Sequence, residues 1–295
     1  MYDIERFYRA KDVSDAVRAL DHDPDAILVS GGTDVLIQTR EGKLAGCSLV
    51  SINQLPELVG VRIEPDGTIV IGGATTFSEI TNNKELQARI PILCWAVDQV
   101  GSPQIRNMGT IGGNVSNGVT SADSASSLFA LNAVVELTGP EGVRRLPIAD
   151  YYAGPGKTVR GHSEILTAIR IAKEDYEGYG GHYLKYGKRE AMEIATLGCA
   201  VCVKLTGDKQ HVADLRMAFG VAAPIPMRCR ETEEKVRGMA LDGALLDAVS
   251  QGALSEVRPR DSWRASKAFR LQLVSEMSRR ALSQAITYAG GELHA

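Results

Sequence analysis

Val29-Ser30-Gly31-Gly32-Thr33-Asp34 and Thr110-Ile111-Gly112-Gly113-Asn114 are two glycine-rich turns set far apart in one chain. Paired glycines carry no side chains, so a backbone can press against a bulky anion and turn its N–H groups toward it. A hydrogen bond to a charged acceptor is worth about 1.5–3 kcal/mol. Two such turns can therefore hold a pyrophosphate without a lysine. Neither turn has the G-x-G-x-x-G spacing of a Rossmann site. Gly154-Pro155-Gly156-Lys157 lacks the first glycine that a phosphate-binding loop requires. A single Gly-Gly is often only a tight turn. Two pairs, each beside Thr and an amide or carboxylate, favour a ligand.

The bulk of the chain fits a globular protein of one large domain or two. It has 295 residues, 44% hydrophobic content and a formal net charge of −3. No long basic run offers nucleic acid an electrostatic footprint. No apolar stretch reaches the roughly 20 residues that cross a bilayer. The N-terminus, Met1-Tyr2-Asp3-Ile4-Glu5, is polar and unlike a signal peptide. A soluble cytoplasmic protein is the expectation.

Cys47, Cys94, Cys199, Cys202 and Cys229 are odd in number and irregularly spaced, which suits reduced thiols. Cys199 and Cys202 match C-x-x-C by letter, but they lie in a strand-like run, Thr196 to Leu205. Residues three apart on a strand point to opposite faces, so buried structural cysteines are expected rather than a redox pair. Neither the cysteines nor the five histidines have the spacing of a metal site, and no metal is expected in this chain.

Apolar periodicity predicts a helix over residues 13–20, strands over 26–29 and 48–52, and a short helix after Asp34. The positive end of that short helix would face a phosphate. Pro65-Asp66-Gly67 and Pro140-Glu141-Gly142 mark hairpin turns. Thr76 and Glu79 form either a capping box or part of a polar cluster near a ligand. A helix is expected from Pro91 to Val100. The stretch from Gly101 to Asp123, rich in Gly, Ser, Asn and Thr, reads as a long functional loop. Ala125 to Leu131 reads as a helix and Glu164 to Ile171 as a strand. Composition shifts at Lys173 to Gly181, where a domain boundary is expected. Three strand-like runs follow, His182–Tyr186, Thr196–Leu205 and Leu215–Val221. A long amphipathic helix then spans Ser266 to Ala289, with Phe269, Leu273, Met277, Ala281 and Ile286 on or near one face. Strands followed by helices imply an α+β second domain.

Taken in order, these pieces resemble the flavin-binding subunit of the molybdenum hydroxylases, the xanthine dehydrogenase family. The resemblance rests on Gly31-Gly32-Thr33-Asp34, on Gln104-Ile105-Arg106-Asn107 leading into Thr110 to Asn114, and on Ser121-Ala122-Asp123. It continues through Gly154 to Lys157, Glu164-Ile165-Leu166, Lys185 with Arg189, Phe219 to Pro224 and Arg264-Ala265-Ser266. It covers essentially the whole chain.

The resemblance implies an α+β fold. A two-lobed FAD-binding domain of the vanillyl-alcohol-oxidase type would span 1–175, with lobes of roughly 1–55 and 56–175. A smaller α+β domain of the CO dehydrogenase flavoprotein type would span 176–295. It implies that Val29, Ser30, Gly31, Gly32, Thr33 and Asp34 wrap the pyrophosphate of FAD. Thr110, Ile111, Gly112, Gly113 and Asn114 would close on it from the other side. Asn117 and Asp123 would approach the adenosine half, and Leu166 would pack by the flavin. Lys185 would lie at the pyrimidine edge of the flavin ring. Thr76 and Gly101 would also lie near the cofactor. Some relatives carry an aromatic residue over the flavin in the segment matching Val100-Gly101, and this chain has none there.

The resemblance further implies a heteromer, with a molybdopterin-binding large subunit and an iron–sulfur small subunit carrying two-iron, two-sulfur clusters. FAD would relay electrons to NAD+ or another acceptor, and no catalytic residue beyond FAD would lie in this chain. The loop Lys185 to Ala195, with Arg189 and Glu193, would affect acceptor access. Gln104 to Gly109 would receive the iron–sulfur partner, with Arg106 either touching that partner or pinning the loop. Two alternatives stay open: a stand-alone flavin oxidoreductase of the same fold, and a flavin-free subunit that only bridges partners.

Overall fold

A computed structural model describes residues 2–294. The first lobe comprises β1 (Ile4–Arg9), α1 (Val13–His22), β2 (Ile27–Val29), α2 (Val35–Arg40) and β3 (Cys47–Ser51). The strands pair in parallel in the order β1-β3-β2. Parallel neighbours need crossovers, and the two helices supply them. Asp12 caps α1 by accepting from the Asp15 N–H, and Val13, Ala16, Val17 and Leu20 are buried in one cluster with Val50 and Ile52.

The second lobe begins with β4 (Val61–Ile63) and β5 (Ile69–Gly72). Six helices follow: α3 (Phe77–Asn82), α4 (Lys84–Arg89), α5 (Pro91–Asp98), α6 (Pro103–Met108), α7 (Ile111–Ser116) and α8 (Asp123–Ala130). The lobe ends with β6 (Val134–Gly139), β7 (Gly142–Pro147), α9 (Ile148–Tyr151), β8 (Tyr152–Gly154), β9 (Lys157–Thr158) and β10 (Ile165–Ile171). Five of these strands form an antiparallel sheet in the order β4-β5-β10-β6-β7. Both predicted hairpins form, and Gly67 and Gly142 take the left-handed φ of +88° and +103° that their turns need. The stretch from Gly101 to Asp123 is not one loop. It holds α6 and α7, capped by Ser102 and Thr110, whose hydroxyls accept from the N–H groups of Ile105 and Gly113.

The C-terminal part contains β11 (Tyr179–Tyr186), β12 (Leu197–Leu205), β13 (Val212–Gly220), β14 (Met227–Arg228), α10 (Arg230–Lys235), α11 (Gly243–Glu256) and α12 (Lys267–Tyr288). Its strands form an antiparallel sheet in sequence order. One face packs on α5 and α8 of the second lobe, and α12 covers the other. Cys199 and Cys202 show the consequence: each is fully buried, one in the core under α12 and the other in the core with α5 and α8. Burial pushes the Cys202 thiol up to about 12, so it stays an unreactive thiol. On α12, Leu273, Met277, Ala281 and Ile286 are buried as the periodicity predicts. Phe269 is not. It lies in the first turn, half-exposed, edge-on to Tyr186.

Polar bonds tie the two parts together. Arg216 pairs with Asp175 at 3.0 Å and stacks 4.4 Å over the Tyr179 ring. Arg228 donates to the Asn132 side-chain Oδ1 as well as to Glu233. His182 of β11 packs against both Trp95 and Tyr288, with ring centroids at 5.5 and 5.8 Å, the two aromatic rings themselves meeting at 5.1 Å, and its Nδ1 is enclosed without a partner. Burial holds its pKa below the ordinary 6.5. The unfolded chain therefore takes up the proton first as pH falls. This part of the stability is full above pH 6.5 and is lost as pH drops below it. His182→Phe is expected to flatten that acid slope in urea unfolding curves measured from pH 8 to 5. An unchanged slope would reject the assignment.

No helix among the described residues is long and apolar enough to cross a membrane.

Candidate functional site

The two glycine turns meet. A Cβ on Gly31 would lie 1.7 Å from the Met108 carbonyl oxygen, so only glycine lets the first turn rest on the backbone leading into the second. A Cβ on Gly112 would lie 2.5 Å from the Gly73 carbonyl oxygen, and one on Gly73 would lie 2.0 Å from that of Leu166. Backbone therefore packs on backbone along the floor of a cleft between the two lobes. Gly32 is needed for another reason, its φ of +72°. Gly113 has no such duty. A Cβ there would touch only the Thr110 hydroxyl, at 3.0 Å, and otherwise opens onto the cleft.

The cleft has a volume of about 400 Å³, within the ordinary range for small-molecule sites. Ser30 to Val35 line it on one side. Thr110, Gly112, Gly113, Asn114, Ser116 and Asn117 line the other, and Phe77, Val100, Ile105 and Leu166 add apolar wall. Among the described residues, no backbone N–H from Ser30 to Val35 donates to a protein acceptor. The Ser30 hydroxyl is enclosed and likewise unpartnered. A buried hydroxyl is nearly always paired, so Ser30 marks a place for a ligand, and the N–H groups beside it, in partly exposed backbone, are open to donate to one.

The second turn differs from the symmetrical clamp expected of it. Its N–H groups are already committed: Ile111 to the Thr75 carbonyl, Gly112 to Gly73, Gly113 to the Thr110 hydroxyl and Asn114 to the Thr110 carbonyl. It contributes shape, and it contributes the Asn114 side chain. Ser124 donates to the Asn114 Oδ1 at 2.6 Å, which leaves the amide NH₂ free to face the cleft.

Of the residues assigned to the site from sequence, Ser30, Gly31, Gly32, Thr33, Asp34, Thr110, Gly112, Gly113, Asn114, Asn117 and Leu166 converge on the cleft. Six do not line it. Val29 is buried in β2 beneath the first turn, and Ile111 is wholly inside the core. Thr76 serves as the cap of α3, with Glu79 bonded back to its N–H at 2.7 Å. Gly101 shapes the entry to α6, where a Cβ would meet the Ile105 side chain at 2.9 Å. Asp123 and Lys185 form an ion pair at 2.8 Å, with side chains only 7% and 8% exposed. They cannot occupy opposite ends of a dinucleotide, as the resemblance placed them. Tyr183 donates to the other oxygen of Asp123 at 2.8 Å, and Lys185 also donates to the Gln99 carbonyl at 2.8 Å. Burial drives the Asp123 carboxyl upward against the pull of Lys185 and Tyr183.

Arg106 donates to the Val100 carbonyl at 3.2 Å and pairs with Asp98 at 3.3 Å, which is the pinning role. Phe77, Arg160 and His162 are lining residues that sequence reasoning missed. His162 Nε2 lies 3.1 Å from the carbonyls of both Leu20 and Asp23, so it carries the proton and ties this loop to the first lobe. Nothing local in Arg160-Gly161-His162 signals that contact.

Residues 2–173 match the family model described as the FAD binding domain in molybdopterin dehydrogenase. Residues 182–285 match the CO dehydrogenase flavoprotein C-terminal domain. The chain is 42% identical to the xanthine dehydrogenase FAD-binding subunit of Escherichia coli O157:H7, over 99% of this chain and 100% of that one. It is 30% identical to the carbon monoxide dehydrogenase medium chain of Hydrogenophaga pseudoflava, over 95% and 96% of the two chains. Among solved structures, the carbon monoxide dehydrogenase of that organism, in a form lacking the Mo-pyranopterin moiety, superimposes with a TM-score of 0.91. That match covers 98% of this chain and 99% of the other, at 30% identity.

Proposed function

The chain belongs to the FAD-binding domain family of the molybdopterin dehydrogenases, and from that premise we propose that it is the flavin subunit of a xanthine dehydrogenase, passing electrons from an iron–sulfur subunit through FAD to NAD+. A separate molybdopterin-binding large subunit would hydroxylate the purine. The identity to the xanthine dehydrogenase relative, higher than to the carbon monoxide dehydrogenase one, supports a purine substrate.

The observation that carries the reading is the row of unpartnered N–H groups from Ser30 to Val35, beside the unpartnered Ser30 hydroxyl. This donor set suits a pyrophosphate and needs no cation. When bound, FAD supplies a centre that links one-electron metal clusters to a hydride acceptor. The chain's own residues bind and orient. Ser30 to Val35 would hold the two phosphates. Gly113 would leave them room, and the Asn114 amide would donate from the opposite side. Lys185 arrives with its counter-ion Asp123, so the pair holds the Gln99–Val100 backbone beside the cleft without presenting a bare cation. We draw the boundary between FAD-binding and C-terminal domains within residues 173–181, between the two matched segments.

The purified single chain is expected to bind FAD non-covalently, to reduce dyes slowly from NADH and to leave hypoxanthine untouched. Reconstitution with its molybdopterin and iron–sulfur subunits is expected to give hypoxanthine turnover coupled to NAD+ reduction. Turnover by the single chain at the rate of the complex would overturn the subunit reading.

A further inference from the structure

The loop between β11 and β12 and the segment leading into α12 carry side chains that the folded chain does not use. Trp263 is 79% exposed, Met192 64% and Ile194 49%. Lys188 and Arg264 lie over the Trp263 ring, 5.6 and 4.3 Å from its centroid. Tyr186 and Phe269 meet edge-on, centroids 5.5 Å apart. These contacts join the two segments into one surface. Single exposed apolar residues are ordinary, but several of them carried on two segments that touch each other make more than scattered exposure.

The charges around it lack counter-ions, although the Arg189 guanidinium donates to the Met192 carbonyl at 2.8 Å. Among the described residues, Lys188, Arg189, Arg260, Arg264, Lys267 and Arg270 make no salt bridge. The neighbouring acids do not answer them: Glu193 accepts from the Arg189 backbone N–H, and Asp261 from that of Lys267. Arg270 is buried and donates only to the carbonyls of Thr196 and Arg260 and to the Ser262 hydroxyl. Burial, with Arg260 and Arg264 close by, pushes its pKa down. In a chain of net charge −3, this is a local excess of unpaired cations.

We propose that this surface seats an acidic face of another subunit of the same enzyme, with Trp263 as the apolar anchor and Lys188, Arg189 and Arg264 pairing that subunit's carboxylates. The proposal rests on reading the chain as one subunit of a heteromer. Trp and Arg dominate the energetically important centres of protein interfaces, and unpaired charges around them select and steer a partner. The apolar side chains spread over two chain segments, a broader footing than one stacked nucleotide base requires.

The test compares wild-type chain with Trp263→Ser and with Lys188→Glu/Arg264→Glu. Each is titrated against the partner subunits and followed by sedimentation velocity. Each variant is expected to associate at least tenfold more weakly. The charge-reversed one is also expected to lose most of the wild type's salt dependence. FAD content of the free chains should not change, since none of these residues lines the cleft. Wild-type affinity in both variants would overturn the proposal and leave the subunit reading standing. So would a wild-type self-association that Trp263→Ser abolishes, or NADH binding that Trp263→Ser abolishes while assembly is unaffected. Failure of the wild-type chain to join those subunits would overturn both.

Discussion

Gly113→Val is expected to yield a folded chain that purifies with little flavin. Among the glycines of the two turns, this one alone faces open cleft without an extreme backbone need. Its Cβ position lies 3.0 Å from the Thr110 hydroxyl and near nothing else. A valine would place branched carbons where the phosphates must approach. Losing even one charge-assisted hydrogen bond removes about 1.5–3 kcal/mol, or roughly one to two orders of magnitude in affinity. Gly113→Ala separates the two contributions. It meets the same Thr110 contact, so it reports the disturbance to the α7 cap, but it fills far less of the cleft. Retention should therefore fall in the order wild type, Ala, Val, while the unfolding midpoint of the flavin-free chains stays nearly level. Gly31→Ala makes the contrasting case. Its Cβ would sit 1.7 Å from a backbone oxygen, so the lobes themselves would have to part. Full FAD occupancy with unchanged affinity in Gly113→Val would reject the site.

Local signals in the sequence were legible because local chemistry decides them. Thr76 with Glu79 is a capping box in both sequence and structure, and Pro65-Asp66-Gly67 turns where a turn residue with positive φ is available. The opposed faces of Cys199 and Cys202 follow from strand geometry alone. Weakly patterned segments were lost. The helix α11 is built largely of Gly, Ala, Ser and Leu, and β1 is almost entirely exposed, so neither carries a clear period. Within the site, the glycine pairs pointed to the cleft, but their division of labour did not show. That Gly31 serves packing and Gly113 serves space depends on which backbone lies opposite, and no local pattern encodes it. His162 was passed over for the same reason, since its partners lie near residue 20. The pairing of Asp123 with Lys185 joins residues on two elements and two matched segments. Transfer by resemblance named both residues and separated them. Only the fold brings them together.

That pair gives the second large effect. Lys185→Met is expected to destabilise the chain by about 3–5 kcal/mol at neutral pH, because it strands a buried carboxylate. Asp123 is 7% exposed, and Lys185 is the cation that meets it, at 2.8 Å. Tyr183 remains as a donor but brings no charge. Burial already pushes the Asp123 carboxyl up in the intact pair, and loss of Lys185 would push it further. The sign of the pH dependence follows. With the folded pKa raised above the unfolded value of 3.8, the folded variant binds the proton more tightly than the unfolded chain. The stability gap between variant and wild type should therefore narrow as pH falls from neutrality toward 4. Adding Asp123→Asn removes the stranded charge and keeps an oxygen for Tyr183. The double variant should regain more than half of the loss at neutral pH, where Asp123 would otherwise be charged. Urea unfolding of the four chains at pH 7 and pH 5 measures every term of the cycle. Additive losses in the double variant, with no narrowing at pH 5, would show that Lys185 supports the sheet by packing its stem rather than by holding the Asp123 charge.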